Sequence, residues 1–150
     1  MNDFNLERFL KAQDQNVSNY ETALEEIKSG GKRTHWIWYI FPQIKGLGYS
    51  PASVFYAVSG IKEAVAYLAH PVLGKRLVEI SSALLDSPVT NPVEIMGSSL
   101  DAQKLKSSMT LFATVSILEP VFEKVLDKFF DGEKDCNTLR IIRQDLTADS

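Results

Sequence analysis

The sequence predicts an all-α fold: a single compact, non-bundle domain of about eight to ten short helices plus one long helix near residues 99–118. Three observations predict it. Apolar residues recur at three- and four-residue spacing in window after window along the chain. Cap-like residues and prolines stand before these windows, and glycines stand behind several of them. The one run that reads as a strand by composition, Trp36 to Phe41, has no second strand to pair with.

Taken in order, Phe4, Leu6, Phe9 and Leu10 follow Asp3 at helical spacing, giving a short helix that ends near Gln13. A second helix starts at Asn16. It turns Val17, Tyr20, Ala23, Leu24 and Ile27 inward and Glu21, Glu25 and Glu26 outward, and Gly30-Gly31 ends it. The window THWIWYIFPQIKGLG then carries six apolar residues in a row, Trp36 to Phe41. A lone strand would leave its amides and carbonyls unsatisfied, so a short, deeply buried helix is expected, with Thr34 as N-cap and Pro42 marking its end. Ser50-Pro51 starts a helix through Val54, Phe55 and Val58, and the next begins near Ser59 or Gly60 with Ile61, Ala64, Val65 and Leu68 inside. His70-Pro71 restarts the chain into a helix reaching Leu85, with Leu73, Leu77, Ile80 and Leu84 on its inner face.

After the turn Asp86-Ser87-Pro88 comes the clearest cap, Asn91 followed by Pro92 and, at the third helical position, Glu94. That short helix ends at Gly97. Ser98 or Ser99 caps the long helix, whose Asp101 complements the helix dipole and whose stripe is Leu105, Met109, Phe112 and Ser116, broadened by Leu111, Val115 and Leu118. Pro120 begins a helix through Phe129 that Asp131-Gly132 closes. A final short helix, Thr138 to Arg143, leaves 145–150 as a flexible tail of the single 1–150 domain.

Size and composition bound the function. A chain of 150 residues buries roughly 68–70% of its unfolded surface, enough for one real core. With 45% apolar and 23% charged residues it matches globular averages. A net charge of -3 speaks against general nucleic-acid binding. Cys136 is the single cysteine, so an intrachain disulfide is excluded, and with two histidines a metal site is not expected. No apolar run reaches the length of a membrane span and no signal-peptide pattern opens the chain, so a cytoplasmic protein is expected. Neither a P-loop nor a dinucleotide fingerprint occurs, and no cofactor is implied.

Three blocks stand together: KRTHWIWYIFPQIKGLGYS, AYLAHPVLGKRL and DAQKLKSSMTLFA. In this order and spacing they closely resemble the family known as domain of unknown function number 1810, over nearly the whole chain from Phe4 to about Leu139. The resemblance implies a small, soluble, all-helical protein and a helical Trp36 window, and it lends no activity. Some members carry the name calpastatin. A protease inhibitor of that name is an extended disordered chain, which a sequence this rich in apolar residues is not.

On the long helix, Asp101, Lys104 and Ser108 share a face at i, i+3 and i+7, flanked by Ser107 and Thr110. A charge pair followed by hydroxyls suits a helix that lines a polar pocket; a solvated face with an ordinary Asp101–Lys104 pair is the plainer alternative. His35 is a candidate general acid or base, or else a packed or hydrogen-bonded residue of a first turn. Trp36, Trp38, Tyr39 and Phe41 are candidate stacking rings, although rings at successive positions point apart and core packing claims at least two of them. Gln43, Lys45, Gly46 and Gly48 offer amides to a phosphate. Lys104 beside Ser107 and Ser108 suggests a serine–lysine nucleophile, but no motif positions such a hydroxyl.

The leading expectation is therefore a pocket between the 34–48 segment and the 101–110 helix face. It would bind a small anionic, nucleotide-like or ADP-ribose-like molecule, with Lys104, aided by Lys45 or Arg33, holding the anion. Ser107, Ser108 and Thr110 would orient the ligand, and His35 and Asp101 are the residues that any catalysis would use. The competing expectation is a non-catalytic interaction module using rings near Tyr49, Tyr56 or Phe129-Phe130.

Overall fold

The computed structural model describes residues 4–148. Among them are ten helices: α1 (Glu7–Gln13), α2 (Tyr20–Lys28), α3 (Ile37–Ile40), α4 (Pro51–Phe55), α5 (Ile61–Ala69), α6 (Leu73–Asp86), α7 (Pro92–Met96), α8 (Ser99–Val115), α9 (Val121–Phe130) and α10 (Cys136–Ala148). The only β-type pairing in the described residues is an isolated parallel bridge between Ile44 and Val58, with Lys45 N donating to Val58 O and Val58 N to Gln43 O, each at 2.8 Å. Val58 thus lies outside α4, the helix expected to contain it.

Helix α8 sits in the middle. It packs against α3, α5, α7, α9 and α10, while α6 lies against α2, α5 and α9. This surrounds α8, and every residue from Ser107 to Phe112 is buried regardless of polarity. Leu105, Met109, Leu111 and Phe112 form the expected inner stripe. The helix stops at Val115, short of 118, and Ile117 and Leu118 project into solvent at 95% and 94% exposure. Gly74 permits the close approach of α6 to α5: a Cβ there would stand 2.0 Å from the Leu68 carbonyl oxygen.

The caps read from sequence hold at α4, α7 and α8. Ser50, Asn91 and Ser98 each accept a first-turn amide, and Gly97 closes α7 in the left-handed conformation at φ 86°. Two other caps differ. The cap of α2 is Asn19, which accepts from Thr22 N at 2.8 Å, and not Asn16; Ser18, at φ 46°, turns the chain between them. Nor does Thr34 cap α3, which starts after Trp36 without a side-chain cap. The Thr34 hydroxyl instead donates to Glu26 Oε2 at 2.8 Å.

The final helix is also longer than the 138–143 span expected, and Asp145 lies within it. Its carboxylate accepts the first amide of α5, Ile61 N, at 2.8 Å. Gly60 makes room, since a Cβ there would meet Asp145 Oδ2 at 2.7 Å. A contact 84 residues away in sequence holds this turn, and no local pattern announces it. Residues 149–150 of the expected tail lie outside the described residues.

Candidate functional site

The segment after α3 and the N-terminal half of α8 meet and leave a cleft of about 320 Å³ between them. Gln43, Leu47, Gly48 and Tyr49 form one wall and continue into Ser50 and Ser53 of the α4 turn. Leu100, Gln103, Lys104 and Ser107 of α8 form the other, and Asp135 and Asn137 at the start of α10 close the end. Gly48 keeps the first wall tight: a Cβ there would stand 2.6 Å from Ser53 Cβ.

The charges are arranged in a row. Asp101 Oδ2 is 2.8 Å from Lys32 Nζ, while its Oδ1 is 3.7 Å from Lys104 Nζ. Each lysine also lies over an indole, Lys32 over Trp36 at 5.2 Å and Lys104 over Trp38 at 5.3 Å. Asp101 sits closer to Lys32. Lys104, held more loosely, is among the residues that line the cleft.

At the closed end, Asp135 is buried at 5% exposure yet lines the cleft. Its Oδ2 accepts from the Thr138 amide at 3.0 Å, as a helix N-cap does, and from the Thr138 hydroxyl at 2.5 Å. Gln103 Nε2 donates to Oδ1 at 2.8 Å. Ser107 Oγ stands 3.2 Å from Oδ2 and 3.1 Å from the Gln103 carbonyl oxygen, so its one proton serves either acceptor. The Asp135 amide in turn donates to Thr110 Oγ1 at 2.9 Å. The result is a carboxylate fixed from three directions.

Of the residues singled out from sequence, the structure brings Gln43, Lys104 and Ser107 together on this cleft. Gly48 lines it too, as does Tyr49 from the competing set of rings, and the remaining candidates fall elsewhere. Trp36 is wholly buried and donates through Nε1 to Glu26 Oε1 at 2.9 Å. Trp38 is half-buried behind Lys104, with an Nε1 that has no hydrogen-bond partner, and Ser108 Oγ is likewise buried and unpartnered. Thr110 Oγ1 is taken up by Asp135 and by the Lys106 carbonyl. His35 and Lys45 are exposed and do not line the cleft, and Asp101 adjoins it through Lys104 alone. The rings expected to form an interaction surface also divide: Tyr49 is 90% exposed, Tyr56 and Phe130 are half-buried, and Phe129 is in the core.

Sequence reasoning did not assign Ser50, Ser53, Asp135 or Asn137 to the site. Asp135 is a residue type that caps helices and stands just before α10, which could have marked it as a cap. Its partners on α8, 28 and 32 residues earlier, carry no local signal. Among the described residues there is no group of three or more His, Cys, Asp or Glu side chains that could hold a metal ion, and no helix long and apolar enough to cross a membrane.

Among solved structures, the conserved hypothetical protein Rv1873 from Mycobacterium tuberculosis is similar to this chain. It is 39% identical, with a TM-score of 0.88 over 95% of this chain and 99% of its own. No curated protein matches. A model of the family described as "Protein of unknown function (DUF1810)" matches residues 3–142, which is nearly the full length, and the chain therefore belongs to that family.

Proposed function

We propose that the cleft binds a small anionic metabolite of the phosphorylated, nucleotide-like or ADP-ribose-like class. The observation that carries this reading is the position of Lys104, a cation on a concave wall whose neighbouring carboxylate, Asp101, is shared and sits closer to Lys32 (2.8 Å) than to Lys104 (3.7 Å). Around it stand neutral hydrogen-bonding groups, the amides of Gln43, Gln103 and Asn137 and the hydroxyls of Ser50, Ser53 and Ser107. A wall of this kind orients a polar ligand, and its volume lies at the small end for metabolite pockets. The exposed Tyr49 at the rim offers a ring face to a base.

Binding supports the arrangement better than turnover does. His35 is not among the residues that line the cleft, and the Asp135 carboxylate is saturated on one oxygen by its structural bonds. The test is a thermal-shift screen of nucleotides, ADP-ribose and sugar phosphates on the full chain. A compound at about 100 times its Kd stabilises the fold by about 2.7 kcal/mol, which is several degrees for a domain of this size. Lys104→Ala should remove that shift while the unliganded protein still melts cooperatively. A screen in which no anion shifts the melt, or a hit that survives Lys104→Ala, would sink the reading.

A further inference from the structure

Resting on the anion site just proposed, we infer that Asp135 is the residue that selects the ligand, and that it selects for a sugar carrying vicinal hydroxyls next to the phosphate. The geometry at the closed end of the cleft leads there. Asp135 Oδ2 is filled by the two Thr138 donors, with Ser107 also in reach, whereas Oδ1 takes one hydrogen bond, from Gln103. A carboxylate oxygen accepts two, so Oδ1 retains an acceptor direction on a residue that lines the cleft. Its orientation is set before any ligand arrives, because donors from α8 and α10 hold both oxygens.

An ionised carboxylate can only accept, so what it recognises is a donor: a hydroxyl or an ammonium. Lys104, one helical position from Gln103 and three from Ser107, lines the same wall and would take the anionic end of that molecule. The remaining lining decides between the two donors. Gln43, Ser50, Ser53 and Asn137 are neutral groups that both donate and accept, which matches a polyol rather than a second fixed charge. Ser50 Oγ and Ser53 Oγ already bond each other at 2.9 Å, forming a hydroxyl pair that can exchange partners with a sugar. The lining therefore fits a polyol bearing a phosphate, and within the proposed nucleotide-like class that polyol is a pentose phosphate, free or as the ribose portion of a nucleotide.

The experiment compares ribose 5-phosphate, 2-deoxyribose 5-phosphate, phosphoethanolamine and inorganic phosphate by calorimetric titration on the full-length protein. Ribose 5-phosphate should bind at least about ten-fold more tightly than its deoxy analogue, because the lost hydroxyl bonded a charged acceptor. Asp135→Asn keeps the shape and the capping ability, and should reduce that preference to below about two-fold. Should this variant fail to fold, the comparison on the natural protein still decides. Equal binding of the two pentose phosphates overturns the inference, as does tighter binding of phosphoethanolamine or an undiminished preference in Asp135→Asn. If inorganic phosphate binds as well as either sugar, the anion site stands and the role of Asp135 falls. If nothing binds, both fall together.

Discussion

Glu26 and Asp135 each gather several donors onto one carboxylate, and they part company in one respect. Glu26 Oε1 accepts from Arg33 N at 2.7 Å, Thr34 N at 3.0 Å and Trp36 Nε1 at 2.9 Å, and Oε2 accepts from the Thr34 hydroxyl. All its donors lie within ten residues downstream, and together they fold the chain back so that Trp36 enters the core. Asp135 does equivalent work between α8 and α10; each carboxylate keeps one oxygen with a single hydrogen bond, Glu26 Oε2 and Asp135 Oδ1, but Asp135 lines the cleft. The same chemistry thus closes a loop in one place and borders a cleft in the other. What distinguishes them is where the half-used oxygen sits, on a residue that borders the cleft for Asp135 and on one that does not for Glu26.

The largest effect that tests the structural half of this comparison is Trp36→Ala. It empties a site of zero exposure and strips Glu26 of its indole donor, so it should destabilise the fold by about 3–5 kcal/mol in urea unfolding. A loss under about 1 kcal/mol would mean that Glu26 and its loop do not anchor the core.

Glu26→Gln should be milder, about 1–2 kcal/mol near neutral pH, and its signature is pH dependence. Burial alone would raise the Glu26 pKa, but the bonds from Arg33, Trp36 and Thr34 outweigh it, and the carboxyl lies below the ordinary glutamate value. The folded state therefore binds this proton less readily than the unfolded chain. The resulting stability is present above the unfolded pKa and is lost as pH falls through the folded one. Unfolding curves of the natural protein and Glu26→Gln should converge as the pH is lowered below about 4. A gap that stays constant with pH would contradict this.

Asp101→Asn sharpens the comparison at the cleft. Asp101 draws on Lys104 from 3.7 Å, so removing its charge should release the lysine and tighten anion binding several-fold, by roughly 0.5–1 kcal/mol. Stability should fall slightly as Lys32 loses its partner. Abolished function in Asp101→Asn, with ligand still bound, would instead give Asp101 a direct part in chemistry, as the sequence first suggested.

How far the sequence reveals this follows from the range of each interaction. Caps at Ser50, Asn91 and Ser98 bond amides two or three residues on, so their signals are local and readable. The stripe of α8 was readable for the same reason. Thr34 misled because a hydroxyl three residues before a helix looks like a cap, while its partner, Glu26, is eight residues back. The second half of α10 was missed because its docking onto α5 through Asp145 spans 84 residues. At the site, Lys104 was legible from the helix face expected to hold it with Asp101 and Ser108, Ser107 from its place flanking that face, and Gln43 from its loop, while Ser108 is buried away from the cleft. The end wall was not, since Asp135 acquires its meaning from Gln103 and Ser107 across the fold.

The smallest expected effect on the fold belongs to Tyr49→Ala. At 90% exposure the ring contributes little packing, and unfolding free energy should change by less than about 0.5 kcal/mol. Its position on the rim makes it the one aromatic side chain of the cleft able to meet a base from solvent. The variant should therefore separate two ligands that share Lys104 and Asp135. Adenosine monophosphate should lose about 1–3 kcal/mol of binding, the worth of one stacked base, while ribose 5-phosphate, which has no base, should bind as before. An equal loss for both would mean that Tyr49 shapes the wall beside Gly48 rather than reading the ligand. No loss for either would confine recognition to the two charged ends, Lys104 and Asp135, and leave the base, if there is one, in water.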